Sequence, residues 1–158
     1  MCEFDPRCQG SDNLVSNALN QIDAGRWAVT GVYGDELGPA FAYTTGLTEF
    51  SRPELVIYGL DPEQACGILN RTAELLIGDE QLFDTPRLAG ILRPPYHLTS
   101  LPALDTDELT VTRLLYGPDF PAVQLIWPDA DGRFPWEAGY VLSLDVQPLS
   151  GIPHPDAA

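Results

Sequence analysis

The spacing of apolar residues changes from a helical period to a strand-like period between residues 11 and 45. A helix that Ser11 can begin and Gly25 can end carries five apolar residues on one stripe: Leu14, Val15, Ala18, Leu19 and Ile22. From residue 27 onward, β-branched and aromatic residues flank a turn that contains Gly and Pro. We therefore expect a helix over residues 11–24, followed by a hairpin that pairs residues 27–33 with residues 40–44.

The remainder of the chain alternates further strands with one more helix. The apolar run "PELVIYGL" suits a buried strand, and Asp61 and Pro62 then give the N-cap and first position of a helix over residues 62–77, which closes at Gly78. The segments "LAGIL" and "YHLTSL" predict short edge strands, and "LTVTRLLYG" and "AVQLIW" predict two longer ones. These elements indicate one α+β domain over residues 11–150, in which two main helices pack on a curled antiparallel sheet of five or more strands. Residues 1–10 are expected to be mobile and residues 151–158 to form a flexible tail.

The charge of the chain excludes several classes of partner. Eight basic and 23 acidic residues give a net charge of −15, which repels nucleic acid and anionic membrane surfaces. Every basic residue is Arg, and without Lys the chain can form neither the Schiff base of pyridoxal-phosphate enzymes nor a lysine-containing phosphate loop. The sequence therefore predicts no nucleic acid, no membrane and no pyridoxal phosphate as partner or cofactor.

The cysteine and histidine content bears on metal binding and on the cellular compartment. Three Cys form no even disulfide framework, and the first residues lack the order of a signal peptide, so we expect a cytoplasmic protein with reduced thiols. Cys66 falls on the apolar face of the second helix and is expected in the core. With His97 and His154 as the two histidines, the ligands are too few for a closed zinc site, and we expect no bound metal.

Three blocks of the sequence resemble a known family. The segments "GRWAVTGVYGDELGPAFAYTTGL", "RPELVIYGLDPEQACGILN" and "DFPAVQLIWPDADGRFPWE" are similar, in this order, to recurring blocks of the bacterial DUF4262 family of uncharacterised proteins. The resemblance spans roughly residues 26 to 137 and implies no particular activity. Members often begin with a Cys-x-x-Cys pair followed by His, whereas here Glu3, Phe4 and Asp5 follow Cys2, and the next thiol is Cys8.

A second resemblance concerns the fold alone. The segment "AFAYTTGLTEFSRPELVIYGLD" is similar to the early part of split-barrel flavin-reductase-like domains. That resemblance implies a split-barrel-like sheet and a turn that contacts the phosphate of a flavin, here with Thr44, Thr45 and Thr48. A flavin is accordingly a possible cofactor.

Two groups of residues before residue 100 are candidates for a site. Tyr43, Thr44 and Thr45 present three hydroxyls at a strand end, where Arg52 could neutralise a bound anion. Alternatively, they are β-forming residues in an ordinary strand. His97 could serve as a general base, with Tyr43 as a second catalytic candidate, although a lone His is more often structural.

The segment 116–140 holds two of the three Trp around an Asp-Gly turn. Trp127, Arg133 and Trp136 could line the wall of a pocket for a flat or apolar ligand. Alternatively, they form a packed plug in which Arg133 pairs with Asp129 or Asp131. We expect Trp127 to belong to the core and Trp136 to matter less for folding.

Two functions from different classes fit these observations. One is a small-molecule-binding domain, or an enzyme of unassigned reaction, with a pocket between the Tyr43–Thr45 strand end and the Trp127–Trp136 wall. Its chemistry would be proton transfer or a cofactor-assisted redox step, because no Ser-His-Asp constellation is visible. The other is a non-catalytic module for protein interaction or homodimerisation that uses the same aromatic and Arg residues as its surface.

Overall fold

The computed structural model describes residues 2–3 and 11–151 of the chain as three helices and six strands. The helices are α1 (Ser11–Asp23), α2 (Pro62–Gly78) and α3 (Thr110–Tyr116). The strands are β1 (Cys2–Glu3), β2 (Ala28–Val32), β3 (Phe41–Thr45), β4 (Glu54–Tyr58), β5 (Thr99–Pro102) and β6 (Ala122–Ile126). Short 3₁₀ turns span Leu47–Phe50 and Leu82–Asp84. The predictions for residues 1–10 and 151–158 fall outside the described residues, apart from β1 and Gly151.

The six strands form one open sheet in the order β1-β2-β3-β4-β6-β5. The hairpin β2–β3 has the predicted pairing, and β3–β4 and β5–β6 are also antiparallel. However, β1–β2 and β4–β6 are parallel, so the prediction of a wholly antiparallel sheet is wrong. The reason is the long connection between β4 and β6, which contains α2, β5 and α3 and returns the chain to the same end of the sheet before β6 begins.

The helices cover both faces of the sheet. Helix α2 begins as predicted, because the Asp61 carboxylate accepts a hydrogen bond from the Gln64 N–H (3.4 Å) and Pro62 occupies the first turn. Its apolar face packs on one side of the sheet, in a core that includes Leu55, Ile57, Leu69, Leu76 and Leu125. Helices α1 and α3 contact each other and belong to a second apolar cluster with Ala18, Tyr43, Val56, Leu109 and Val111. The single mixed α+β domain predicted from the sequence is confirmed.

Two strand predictions in the second half of the chain are wrong. The segment "LTVTRLLYG" forms α3, which is held on the sheet by hydrogen bonds from the Val111 N–H to the Tyr43 hydroxyl (3.1 Å) and from the Thr112 hydroxyl to the Thr44 carbonyl (2.9 Å). The segment "LAGIL" makes only the isolated bridge between Leu88 and Leu98. The other predicted edge strand is confirmed in part, because β5 covers its second half.

Cys66 combines one confirmed prediction with one that is wrong. The residue is 9% exposed and belongs to the core beneath α2, as its place on the apolar face predicts. It is nevertheless disulfide-bonded, so the expectation of reduced thiols fails at this position. The partner cysteine lies outside the side chains that the structure describes. The covalent bond therefore adds a restraint on α2 that apolar packing alone does not provide.

Candidate functional site

A cleft of about 510 Å³ opens where the parallel strands β4 and β6 both end. One wall is the start of α2, which follows β4 after the short link 59–61, and a second wall is the segment 127–130 that follows β6. The loop 91–96 closes the third side. Segments beyond the carboxyl ends of parallel strands are a frequent location of ligand sites, because the chain leaves the sheet there in loops whose side chains converge.

The cleft has an apolar lining with a polar rim. Its apolar surface comes from Leu60, Ile68, Ile91, Leu92, Trp127 and Pro128, and its polar groups from Glu63, Gln64, Arg93, Tyr96 and Asp129. Gly67 and Ala130 complete the lining. A concave apolar surface with few polar groups is the usual composition of small-molecule sites.

Trp127 is fixed in the cleft wall by hydrogen bonds to every polar group it carries. Its indole N–H donates to the Tyr58 carbonyl (2.7 Å). The Gln147 side chain accepts from the Trp127 backbone N–H (2.9 Å) and donates to its carbonyl (2.9 Å). Because the polar atoms are all bonded within the protein, the exposed part of the ring offers only an apolar face. The expectation that Trp127 is a core residue is therefore only partly right, since the ring packs against the core and also lines the cleft.

Gly59 allows the segment before Gln147 to approach Trp127 closely. Its φ of +84° lies in the left-handed region, and a Cβ there would come within 2.2 Å of the Val146 carbonyl oxygen and 3.1 Å of the Trp127 ring. Any other residue would displace one of these groups. The position of the indole thus depends on a glycine directly after β4.

Gly67 leaves open space on the α2 wall. No heavy atom lies within 4 Å of the position that a Cβ would take, although the residue lines the cleft in the middle of a helix. A mid-helix Gly costs about 0.5 to 1 kcal/mol relative to Ala, and packing against other described residues does not require it here. A ligand could therefore contact the helix backbone directly at this point.

Tyr96 joins two walls of the cleft. Its hydroxyl donates a hydrogen bond of 2.8 Å to the carbonyl of Ala130, which connects the loop 91–96 with the segment 127–130. No local pattern in the sequence indicates this contact, because the two residues are 34 positions apart and neither belongs to a strand or helix.

Asp129 shapes the turn that follows Trp127. One carboxylate oxygen accepts hydrogen bonds from the Asp131 and Arg133 N–H groups (both 2.9 Å), and the other accepts from the Val141 N–H (3.0 Å). Burial acts to raise the pKa of Asp129, but the three backbone donors and the charge of Arg133 outweigh it and hold the pKa below its ordinary value. The carboxylate is thus engaged by the protein itself and not by the cleft.

Arg133 and Trp136 lie outside the residues that line the cleft. Arg133 donates to the Gly139 carbonyl (2.9 Å) and forms an ion pair with Asp131 (3.6 Å), one of the two partners predicted for it. Trp136 stacks on Phe134 with ring centroids 5.4 Å apart, in a small apolar cluster that also contains Leu101 and Ile126. The segment 116–140 therefore places Trp127 on a cleft wall and Trp136 in a packed cluster, and the binding of a ligand by this wall stays a prediction.

Tyr43, Thr44 and Thr45 are buried and bonded within the protein. The Thr44 hydroxyl donates to Glu54 (2.8 Å), and the Thr45 and Thr112 hydroxyls are 2.7 Å apart. All three predicted residues are at most 1% exposed, and the Tyr43 hydroxyl accepts from the Val111 N–H. The structure does not bring them together with Trp127 in a common pocket.

Glu54, which the sequence did not single out, organises the turn after β3. This fully buried carboxylate accepts hydrogen bonds from the backbone N–H groups of Gly46 (3.2 Å), Leu47 (3.1 Å) and Thr48 (2.9 Å), and from the Thr48 hydroxyl (2.6 Å). The signal available in the sequence is an acidic residue at the start of an otherwise apolar strand. Thr44 and Thr48, two of the three hydroxyl residues that suggested a phosphate site, instead donate to a carboxylate of the chain itself.

Neither Arg52 nor His97 lies in the kind of site that the sequence suggested for it. The Arg52 guanidinium donates to the carbonyls of Leu76 (2.8 Å) and Ile77 (3.2 Å), and it therefore caps the last turn of α2. The His97 ring is adjacent in sequence to Tyr96 but is not part of the cleft lining. Its Nδ1 is buried and has no hydrogen-bond partner within the described part of the chain.

The described residues contain neither a cluster of metal ligands nor a membrane-spanning helix. Across residues 2–3 and 11–151, no group of three or more His, Cys, Asp or Glu is placed to hold a metal ion. Within the same residues no helix has the length and apolar character to cross a bilayer. The absence of a bound metal stays a prediction.

Comparisons with known proteins place the chain in a family without giving it an activity. No curated protein and no solved structure matches the chain, so the similarity to split-barrel flavin-reductase-like domains is not confirmed. The family model described as "Domain of unknown function (DUF4262)" matches residues 21–141, a range that includes Trp127, α2 and the three walls of the cleft. The chain belongs to the DUF4262 family.

Proposed function

We propose that this protein binds a small organic molecule in the cleft between α2, the loop 91–96 and the segment 127–130. The observation that carries the proposal is the open wall at Gly67, which faces a volume of about 510 Å³. Ligand pockets in proteins have volumes of roughly 300 to 1,000 Å³ and are mainly apolar. The exposed part of the Trp127 ring and the helix backbone at Gly67 line the same cleft, and this combination suits a flat ligand.

The proposal concerns binding and assigns no reaction. The catalytic candidates Tyr43 and His97 do not line the cleft, and the Tyr43 hydroxyl is occupied by contacts with α3. A flavin also fits poorly at the position that the split-barrel resemblance implies. Thr44 and Thr45 are both fully buried, and their hydroxyls are bonded to other side chains, so they cannot reach a phosphate.

Blocking the cleft at Gly67 tests the proposal. The neutral dye N-phenyl-1-naphthylamine, which fluoresces when it enters an apolar site, serves as the probe. Gly67→Leu adds a side chain at a point with no neighbour within 4 Å, so the fold should tolerate it while the cleft is filled. We expect the variant to bind the dye at least about 10-fold more weakly than the parent chain, as loss of a well-packed apolar contact implies.

Gly78→Leu is the matched control. Gly78 belongs to the same helix and also has open space where a side chain would begin, but it does not line the cleft. Its dye affinity should equal that of the parent. The proposal is wrong if the parent chain does not bind the dye, or if both leucine variants bind it as the parent does.

An interaction or dimerisation module is the alternative function, and one observation favours it. Leu37 at the tip of the β2–β3 hairpin is 95% exposed, and Tyr33 at its base is half exposed. Both side chains line one surface groove, and contiguous exposed apolar surface with an aromatic residue is typical of places where proteins associate. The native mass of the protein over a range of concentrations distinguishes a self-associating chain from a monomer.

A further inference from the structure

Arg93 lies on the rim of the cleft and has no partner for its charge. Within residues 11–151 its guanidinium makes neither a hydrogen bond nor an ion pair. Four other arginines are bonded to acidic side chains: Arg52, Arg71, Arg113 and Arg133. Arg26 and Arg87 also make no ion pair with a described residue, but neither lines the cleft, so what distinguishes Arg93 is its position there.

The carboxylates of the cleft do not neutralise Arg93. Asp129 uses both oxygens to accept hydrogen bonds from backbone N–H groups of its own turn. Glu63 lies in the first turn of α2, where the partial positive charge of the helix end stabilises it, and it is exposed. Arg93 is therefore the cation available to a ligand among the described residues that line the cleft.

We infer that the ligand is a flat organic anion, whose apolar body covers Trp127 and whose carboxylate, or a similar planar anionic group, pairs with Arg93. This inference rests on the proposed binding function. A guanidinium is planar and can donate two parallel hydrogen bonds to a carboxylate, and such charge-assisted bonds are about twice as strong as neutral ones. Arg93 is exposed, so water screens part of this attraction and the apolar contact with Trp127 has to supply the rest of the affinity.

A pair of ligands that differ only in charge tests the inference. Competition against N-phenyl-1-naphthylamine compares 2-naphthoate with 2-naphthamide, which have the same ring and nearly the same shape. We expect the carboxylate to displace the dye at about a 3-fold lower concentration than the amide, as one solvent-exposed charge-assisted pair implies. Arg93→Gln should abolish this difference.

Arg87→Gln is the control for charge in general. Arg87 is exposed in the preceding segment, makes no ion pair with a described residue and does not line the cleft. This variant should keep the preference for 2-naphthoate. If the amide binds the parent as well as the carboxylate, or if Arg87→Gln removes the preference as Arg93→Gln does, the inference is wrong while the binding function stands. If the dye itself does not bind, both proposals fail.

Discussion

Two regions that adjoin strand ends of this sheet contain polar residues. They differ in whether the protein itself satisfies the hydrogen-bonding groups of those residues. At the turn between β3 and β4, the Glu54 carboxylate receives five hydrogen bonds and is fully buried. In the cleft beyond the ends of β4 and β6, the Arg93 guanidinium of the loop 91–96 makes no hydrogen bond or ion pair with a described residue, and part of the Trp127 ring lines the open space. The protein itself satisfies the polar groups of the first region, and the proposed ligand site is at the second, where it does not.

The largest effect that would test this comparison is expected at Glu54. Glu54→Ala removes a fully buried carboxylate that accepts five hydrogen bonds, so we expect the free energy of unfolding to fall by at least about 3 kcal/mol. Urea denaturation followed by circular dichroism measures this loss. Glu63→Ala, which removes an exposed carboxylate on the cleft rim, should cost less than about 1 kcal/mol. If Glu54→Ala and Glu63→Ala lost the same free energy of unfolding, the distinction between the fully bonded cluster at Glu54 and the open cleft would be contradicted.

A smaller effect, which depends on pH, is expected at Asp129. Since the folded state lowers the pKa of this group, the stability it contributes is present above the unfolded pKa of about 3.9 and is lost as the pH falls through the folded value. At pH 7, Asp129→Asn should therefore lower the melting temperature by a few degrees. Below about pH 3.5 the difference from the parent should shrink. Thermal unfolding at both pH values measures the difference in melting temperature between Asp129→Asn and the parent. A difference that is the same at both pH values would show that the charge of Asp129 does not stabilise this turn.

The smallest effect on stability is expected at Gly67. Here the substitution should stabilise the protein, whereas the two preceding substitutions destabilise it. Gly67→Ala should raise the free energy of unfolding by about 0.5 to 1 kcal/mol, because Ala favours the helix and meets no neighbour. The same methyl group should weaken binding of N-phenyl-1-naphthylamine, since it projects into the cleft. Stability and affinity are measured on the same preparation. A variant that is less stable than the parent would show that the glycine has a structural role that the open space does not reveal.

Local sequence signals predicted the elements whose ends are set locally. Helix α2 was predicted within a residue because Asp61, Pro62 and the apolar stripe all lie within the element itself. Helix α3 was missed because Thr110, Val111 and Thr112 favour a strand when they are considered alone. Its conformation is stabilised by contacts with β3, 67 or 68 positions earlier in the chain.

The same dependence on local sequence signals explains which residues of the candidate site were identified from the sequence. Trp127 was identified because a Trp directly after an apolar strand is conspicuous in the sequence, whereas Arg93 and Tyr96 lie in a loop with no periodic pattern. The parallel pairing of β4 with β6 brings this loop beside Trp127, and that pairing depends on a long connection. The hydroxyls of Tyr43, Thr44 and Thr45 were equally conspicuous, but the sequence could not show that Glu54 and α3 occupy them.

The hydrogen bond between Tyr96 and Ala130 has a kinetic consequence for the cleft. A neutral hydrogen bond contributes about 1 kcal/mol net, so this contact alone would leave its two walls apart in roughly one molecule in six. Side-chain and loop motions on this scale take nanoseconds to microseconds. A ligand that needs these two walls to separate would therefore wait only nanoseconds to microseconds for the contact to break, and the rate of association would be set by diffusion and charge.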